Sequence, residues 1–146
     1  MTKKNIEIRE IAKVDDDLIA AMNLLIPQLS NSSPPPDRSA LEEIVASDSS
    51  VLISAYIDGA IVGSLTLIIF TIPTGKRAWI EDVVVDEKCR NEGIGEALNQ
   101  EAINIARRSG AKTVDLTSRP SREAANRLYS RLGFVQRNTN IYRFEI

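Results

Sequence analysis

The chain contains no histidine in 146 residues. Without imidazole there is no Ser-His-Asp or Cys-His relay and no histidine metal ligand. Chemistry near neutral pH must then rest on carboxylates, tyrosine, lysine, backbone amides or a co-substrate. Cysteine is nearly absent too: Cys89 stands alone. One thiol cannot form an internal disulfide or a cysteine-based zinc site, and it suits a reducing, cytoplasmic setting. No metal is expected. Long apolar runs are also missing. The longest, Ile61 to Phe70, is broken by Gly63, Ser64 and Thr66 and is too short to span a bilayer. The opening MTKKNIEIRE has no apolar core after its lysines, so it reads as neither signal peptide nor membrane anchor. The net charge of −2 comes with scattered cations rather than a basic stripe, which argues against nucleic-acid binding.

What is present is an ordinary globular composition, 43% hydrophobic and 26% charged. That is enough to build one core, and the length fits a single domain over residues 1–146. Asn5 to Glu10 alternates as a half-buried strand. One of Asp15, Asp16 and Asp17 caps a helix carrying Leu18, Ala21, Met22, Leu25 and Leu29, in which Pro27 frays or kinks the last turn. Three prolines stiffen the loop Ser30 to Pro36. Asp37 opens a second helix with Leu41, Ile44 and Val45 on its apolar side. Strands Val51 to Ile57 and Ala60 to Phe70 flank Asp58-Gly59, a hairpin signal because both positions tolerate positive φ. After a turn at Pro73-Thr74-Gly75 comes a strand from Arg77 to Val85. A helix follows Gly95, with Leu98, Ala102, Ile105 and Ala106 inward and Gly110 as its stop. Thr113 to Thr117 reads as a strand and Ser121 to Leu132 as a helix burying Ala124, Leu128 and Leu132. Phe134-Val135 and Asn140 to Ile146 read as closing strands. Meander strands followed by β-α-β units predict a mixed α/β sheet.

The most informative stretch is VVVDEKCRNEGIGEAL, Val83 to Leu98. A buried strand leads through a charged loop to Gly93-Ile94-Gly95 at a helix start. Unpaired amides of a first helical turn favour an anion, and Arg90 adds a fork of donors for phosphate oxygens. A P-loop would need Gly-Lys-Ser/Thr, but Glu96-Ala97 follows the second glycine. A dinucleotide fingerprint would need glycine at 98, which is leucine, although Asp115 lies where a ribose-binding acid is expected. Taken alone, the turn is also an ordinary glycine-containing helix start.

Arg90-Asn91-Glu92-Gly93-Ile94-Gly95 directly after a Val-x-Val strand resembles the coenzyme A signature of the GNAT superfamily of N-acetyltransferases. A second stretch agrees: Arg122 to Phe134, REAANRLYSRLGF, is similar to the family's closing helix. The resemblance implies a central, mostly antiparallel sheet of about seven strands flanked by about four helices. It implies acetyl-CoA as co-substrate and transfer of its acetyl group directly to a primary amine.

For the site, the resemblance implies Tyr129 as proton donor to the leaving thiolate. The bland reading of Tyr129 is an amphipathic side chain packing its ring. Glu81 is the preferred general base and Asp82 the second choice. Strand alternation puts these two carboxylates on opposite faces; pairing of Glu81 with Arg77 or Arg143 is an equal alternative, and a water relay is a further one. A backbone amide near Val84 is expected at the oxyanion. Val83 and Val85 would bond the pantetheine arm through their main chains. The main-chain amides of Asn91, Glu92, Gly93, Ile94, Gly95 and Glu96 would hold the pyrophosphate, with Arg131 reaching a further phosphate. Many family members carry asparagine where this chain has Arg122, and Asn126 is the substitute amide. Cys89 reads as a surface residue rather than an acyl carrier, since nothing can activate it.

In the family the acceptor cleft is roofed by the loop between the first helices and by the last hairpin, here Ser30 to Pro36 and Arg137 to Asn140. The polar, stiff loop favours a small or phosphorylated amine over a protein tail. A protein-amine acetyltransferase, a non-catalytic acetyl-CoA sensor and a plain interaction module are the competing readings. The last strand is an expected interface for a homodimer.

Overall fold

In a computed structural model, described over residues 4–146, five strands form one sheet in the order β1-β2-β3-β4-β5. The expectation that residues 1–3 belong to no signal or anchor lies outside the described residues. The strands are β1 (Ile6–Glu10), β2 (Ser50–Ile57), β3 (Ala60–Ile72), β4 (Gly75–Val85) and β5 (Val114–Asp115). The first four are antiparallel, and β5 runs parallel to β4. Four α-helices accompany them: α1 (Asp16–Leu29), α2 (Arg38–Ala46), α3 (Ile94–Arg108) and α4 (Glu123–Leu132).

Local chemistry explains most boundaries. The Asp15 carboxylate accepts from the Leu18 amide at 2.8 Å, and Asp37 does the same for Ala40, so each acid satisfies a free amide of a first turn. Asp58 and Gly59 both have positive φ, 50° and 81°, as a two-residue hairpin turn requires. Pro27 lies within α1 without ending it; the helix closes two residues later, where Ser30 N–H donates to Ile26 O.

Strand alternation distributes the core over two sheet faces. Ile53, Ala55 and Ile57 of β2 pack with Leu98, Ala102 and Ala106 of α3. Leu52, one residue out of phase, packs with Leu18 and Met22 of α1 and Leu41 of α2 on the other face. Gly63 of β3 lets α3 sit hard on the sheet. A Cβ there would meet Ile94, Leu98 and the Val84 carbonyl at 3.2 Å each, so the first turn of α3 is pinned beside the end of β4.

Three sequence expectations need correction. The sheet has five strands rather than about seven, because neither Phe134-Val135 nor Asn140 to Ile146 forms a strand. The alternation of Tyr142, Phe144 and Ile146 is strand-like, but these side chains are exposed and the backbone has no partner to complete a ladder. β5 is two residues long rather than five, for a reason given below. On α4, Ala124 is exposed and Leu128 and Leu132 are half-buried, while Tyr129 is the side chain that the helix buries.

Candidate active site

β4 carries the geometry on which the site depends. Ser64 of β3 faces Val84, but two residues on, Thr66 faces Glu81. Leu65 is therefore matched by both Asp82 and Val83, a β-bulge with one extra residue on β4. Asp82 adopts φ 52°, in the left-handed region that aspartate tolerates better than most residues. The extra residue ends strict alternation. Glu81 and Asp82 both line one cavity instead of facing opposite ways, which corrects the sequence expectation.

A bulge also bends its strand. β5 pairs with β4 only at Ala78 and Trp79, upstream of the bulge; beyond it the two strands part. The gap is a cavity of about 140 Å³, walled by β4 from Ile80 to Val83, by Leu116 and Thr117 after β5, by Arg122 just before α4 and by Tyr129 of α4. Asp86 N–H donates to Val62 O at 2.8 Å, which fixes the phase of the β3–β4 ladder. By alternation the Val84 peptide bonds toward β3, whereas those of Val83 and Val85 turn toward the gap. Consistently, the outward Val85 carbonyl accepts from Arg90 Nε at 3.4 Å.

Two groups on this cavity titrate away from their ordinary values. Burial pushes the Asp82 carboxyl up, and the neighbouring Glu81 carboxylate adds to the rise. Asp82 is nevertheless open to solvent on one side, so the carboxylate keeps access to water. Burial also raises the Tyr129 phenol, with the Arg122 guanidinium opposing in part. Tyr129 is 8% exposed and its ring packs edge-on against Phe134, 5.7 Å between centroids. Its hydroxyl thus holds its proton at neutral pH. Glu81 differs: its carboxylate accepts from Trp79 Nε1 at 2.7 Å on the same strand, rather than pairing with Arg77 or Arg143.

Past β4, the chain makes a short 3₁₀ turn, Glu87–Cys89, and reaches Gly93, the N-cap of α3. Gly93 has φ 82° and, lacking a side chain, caps nothing, so the first α3 amides keep their hydrogen-bonding capacity. Asn91, at φ 63°, shares this left-handed turn. A Cβ on Gly95 would touch Leu128 of α4 at 3.4 Å, so the turn and the tyrosine helix are in direct contact. Free helix amides, outward β4 peptides and a gap beside them are the kinds of group that could receive an elongated diphosphate-bearing thioester. Behind the turn, buried Asn99 donates to the Gly95 carbonyl at 2.8 Å, and Gln28 of α1 accepts from Glu87 N–H at 2.8 Å.

Among the other expected site residues, Asn126 is placed differently. Asn126 Nδ2 donates to the Arg119 and Arg122 carbonyls, 2.9 Å each, and so holds the α4 entry rather than facing the gap. Arg122 itself lines the cavity. Glu92 is held by Lys4 at 3.0 Å, Glu96 is exposed, and Arg131 is exposed one helical turn beyond Leu128. Cys89 is half-buried against the core rather than a surface residue, and it lines neither of the two cavities. Sequence reasoning missed the bulge and the wall residues Leu29, Leu116 and Thr117. Only the adjacent acids Glu81-Asp82 inside an apolar strand hinted at the first.

A sheet whose fourth and fifth strands part over an uncapped glycine turn, with a buried phenol in the gap, defines an acyl-CoA-dependent acyltransferase. Comparison with known proteins agrees. The model of the GNAT acetyltransferase family matches residues 18–134. An uncharacterised N-acetyltransferase of Bacillus subtilis (strain 168), YhdJ, is 35% identical over 99 residues, 65% of this chain and 68% of that protein. Among solved structures, a putative acetyltransferase from Agrobacterium tumefaciens C58 superposes with a TM-score of 0.83 at 25% identity, covering 95% of this chain and 99% of the other. A protein described as a transcriptional regulator from Bacillus halodurans C-125 gives 0.79 at 27% identity, with 97% and 100% covered. The chain belongs to the GNAT family of acetyltransferases and is an acetyl-CoA-dependent N-acyltransferase.

Proposed function

We propose that this enzyme moves the acetyl group of acetyl-CoA directly to a small primary amine, with Asp82 as general base and Tyr129 as general acid. The observation that carries this reading is that both residues line the cavity opened where β4 and β5 part. Acetyl-CoA supplies an activated acyl carbon on a thiolate leaving group. The α3 amides from Gly93 to Glu96, with Arg90, hold its diphosphate. The outward peptides of Val83 and Val85 hold the pantetheine arm, and Arg131 reaches a further phosphate. Asp82 takes the proton that the amine nitrogen loses as its bond to the acyl carbon forms. A backbone N–H of the Val83 to Val85 stretch donates to the carbonyl oxygen as charge grows on it. Tyr129 then gives its phenolic proton to sulfur as the carbon–sulfur bond breaks, and recovers one from solvent.

This choice of base inverts the sequence-level preference for Glu81. Glu81 is engaged by the Trp79 indole, and Asp82 carries the raised carboxyl at the bulge. Glu81 acts through charge, by making Asp82 more basic. A phosphorylated acceptor would have Arg122 as its one cationic partner on the cavity walls. The test is acetyl-CoA-induced thermal stabilisation, followed by thiol release with an amine panel. Stabilisation and release are expected. Stabilisation without release from any amine would make the chain a sensor instead.

Two further readings complete the proposal. No α-helix of the described residues is long and apolar enough to cross a membrane, and the half-buried free thiol suits a reducing compartment, so we place the enzyme in the cytoplasm. We also propose a homodimer. Among the described residues seven large apolar side chains are exposed, and five of them (Val135, Ile141, Tyr142, Phe144 and Ile146) lie on the C-terminal segment, while β5 leaves one edge of the sheet unpaired. A second copy would supply the missing cover for both.

A further inference from the structure

Asp82 is the one residue shared by the walls of two cavities. One is the gap between β4 and β5 described above. The other, about 200 Å³, lies between the α1–α2 loop and the sheet. Its walls come from Met22 and Ile26 of α1, Leu41 and Ile44 of α2, and Leu52 and Val84 of the sheet. Pro34 and Pro36 close it from the loop, so the expected roof from Ser30 to Pro36 is in place. The polar groups are three hydroxyls, on Ser33, Ser64 and Thr66, and the Ser64 hydroxyl already donates to the Ile53 carbonyl at 3.1 Å. Asp82 is the only charged side chain in this wall.

From this distribution we infer that the second cavity takes the body of the acceptor, and that the acceptor is a monoamine on an apolar body with its nitrogen at Asp82. The inference rests on the acetyl-transfer reading above and adds the substrate class to it. The walls discriminate by what they lack. An amino sugar would bury several hydroxyls where two unengaged side-chain hydroxyls are available, and unpaired buried polar groups are costly. A phosphorylated amine would meet no cation in the recess. A diamine would push its second ammonium into hydrocarbon with no second carboxylate to receive it. An alkyl or arylalkyl amine meets none of these penalties: its one amino nitrogen, neutral when it attacks, faces Asp82 and its carbon chain replaces water on apolar walls. An apolar cavity of about 150 Å³ accommodates benzene, so this recess has room for one ring and a short arm.

The test is thiol release from acetyl-CoA with straight-chain amines from ethylamine to octylamine and with phenethylamine, glucosamine 6-phosphate and putrescine. kcat/KM is expected to rise about fourfold per methylene while the recess fills, then to fall. Ile44→Trp, which narrows the recess from α2, is expected to move the optimum to a shorter amine, with the acetyl-CoA thermal shift retained as the check on folding. If that variant does not fold, Ile44→Ala is expected to move the optimum to a longer one. Rates independent of chain length, or glucosamine 6-phosphate or putrescine outperforming hexylamine, overturn the acceptor assignment while acetyl transfer stands. An absence of thiol release with every amine overturns the transfer reading and this inference with it.

Discussion

Replacing Asp82 separates its role as a base from its role in the backbone. Asp82→Asn keeps a side chain that tolerates left-handed φ and removes the proton acceptor; Asp82→Ala removes both. At φ 52° an alanine costs about 1 to 2 kcal/mol more than a residue suited to that region. For a chain of this length the alanine variant should therefore melt roughly 2 to 8 °C below the asparagine variant. Loss of a general base costs about 10²- to 10⁴-fold in kcat, or about 3 to 5.5 kcal/mol of barrier. Both variants should show that loss equally, despite their different stability. The pH behaviour follows from the raised carboxyl. Asp82 is protonated at higher pH than a free aspartate, so the acid limb of kcat/KM should lie above that of a free aspartate and vanish in Asp82→Asn. The linked stability has the opposite sense. A raised acid favours the native state as pH falls through the folded value and disfavours it above. Asp82→Asn should thus melt higher than the parent at neutral pH, and the difference should close below about pH 4. Initial rates of thiol release between pH 4 and 10, with melting curves on the same samples, measure all of this. An asparagine variant with parental rate and an unmoved acid limb would refute the assignment, and Glu81→Gln losing that limb would transfer it.

Tyr129→Phe should lower kcat by about 10²- to 10⁴-fold with the fold intact, as judged by the acetyl-CoA thermal shift. Because burial raises the phenol, the alkaline limb attributable to Tyr129 should lie above the ordinary value of about 10, and stability gained from its neutral form is lost only as pH rises through that raised value. Gly93→Ala puts a Cβ into open space at φ 82°, so its cost is backbone strain of about 1 to 2 kcal/mol, read as a lower melting temperature that Gly93→Asn largely restores. Arg90→Gln should raise KM for acetyl-CoA about tenfold, the low end for a charge-assisted bond at an exposed site, with kcat little changed in steady-state kinetics. Deleting residues 139–146 should convert a dimer to a monomer in light scattering, and a full-length chain that is already monomeric removes that proposal.

The parts of this molecule legible in its sequence are those that one segment decides for itself. Asp58-Gly59 dictates its hairpin, Asp15 and Asp37 dictate helix starts, and Gly93 dictates the uncapped left-handed entry to α3, because each turn or helix end is decided locally. The C-terminal segment shows the limit of that rule. Tyr142, Phe144 and Ile146 alternate as a strand should, yet a strand exists only when a neighbour completes its ladder, and alternation carries no information about the neighbour. Tyr129 falls between these cases: its motif marked the residue, but its burial comes from the packing of α4 on α3 and from Phe134.

The bulge was the least legible feature and has the widest consequences. Reading β4 as strictly alternating puts Glu81 and Asp82 on opposite faces and leaves one carboxylate for one cleft. A single extra residue opposite Leu65 brings both acids to one cavity, lets Glu81 raise Asp82, bends β4 away from β5 to open the thioester gap, and leaves Asp82 on the wall of the second recess as well. These four effects share one cause, so they should fail together. A variant that restores regular pairing, by deleting Val83, would return Glu81 and Asp82 to opposite faces and lengthen the β4–β5 ladder. It should lose acetyl transfer entirely while keeping the other three strand pairings, which hydrogen exchange along β1 to β3 would report.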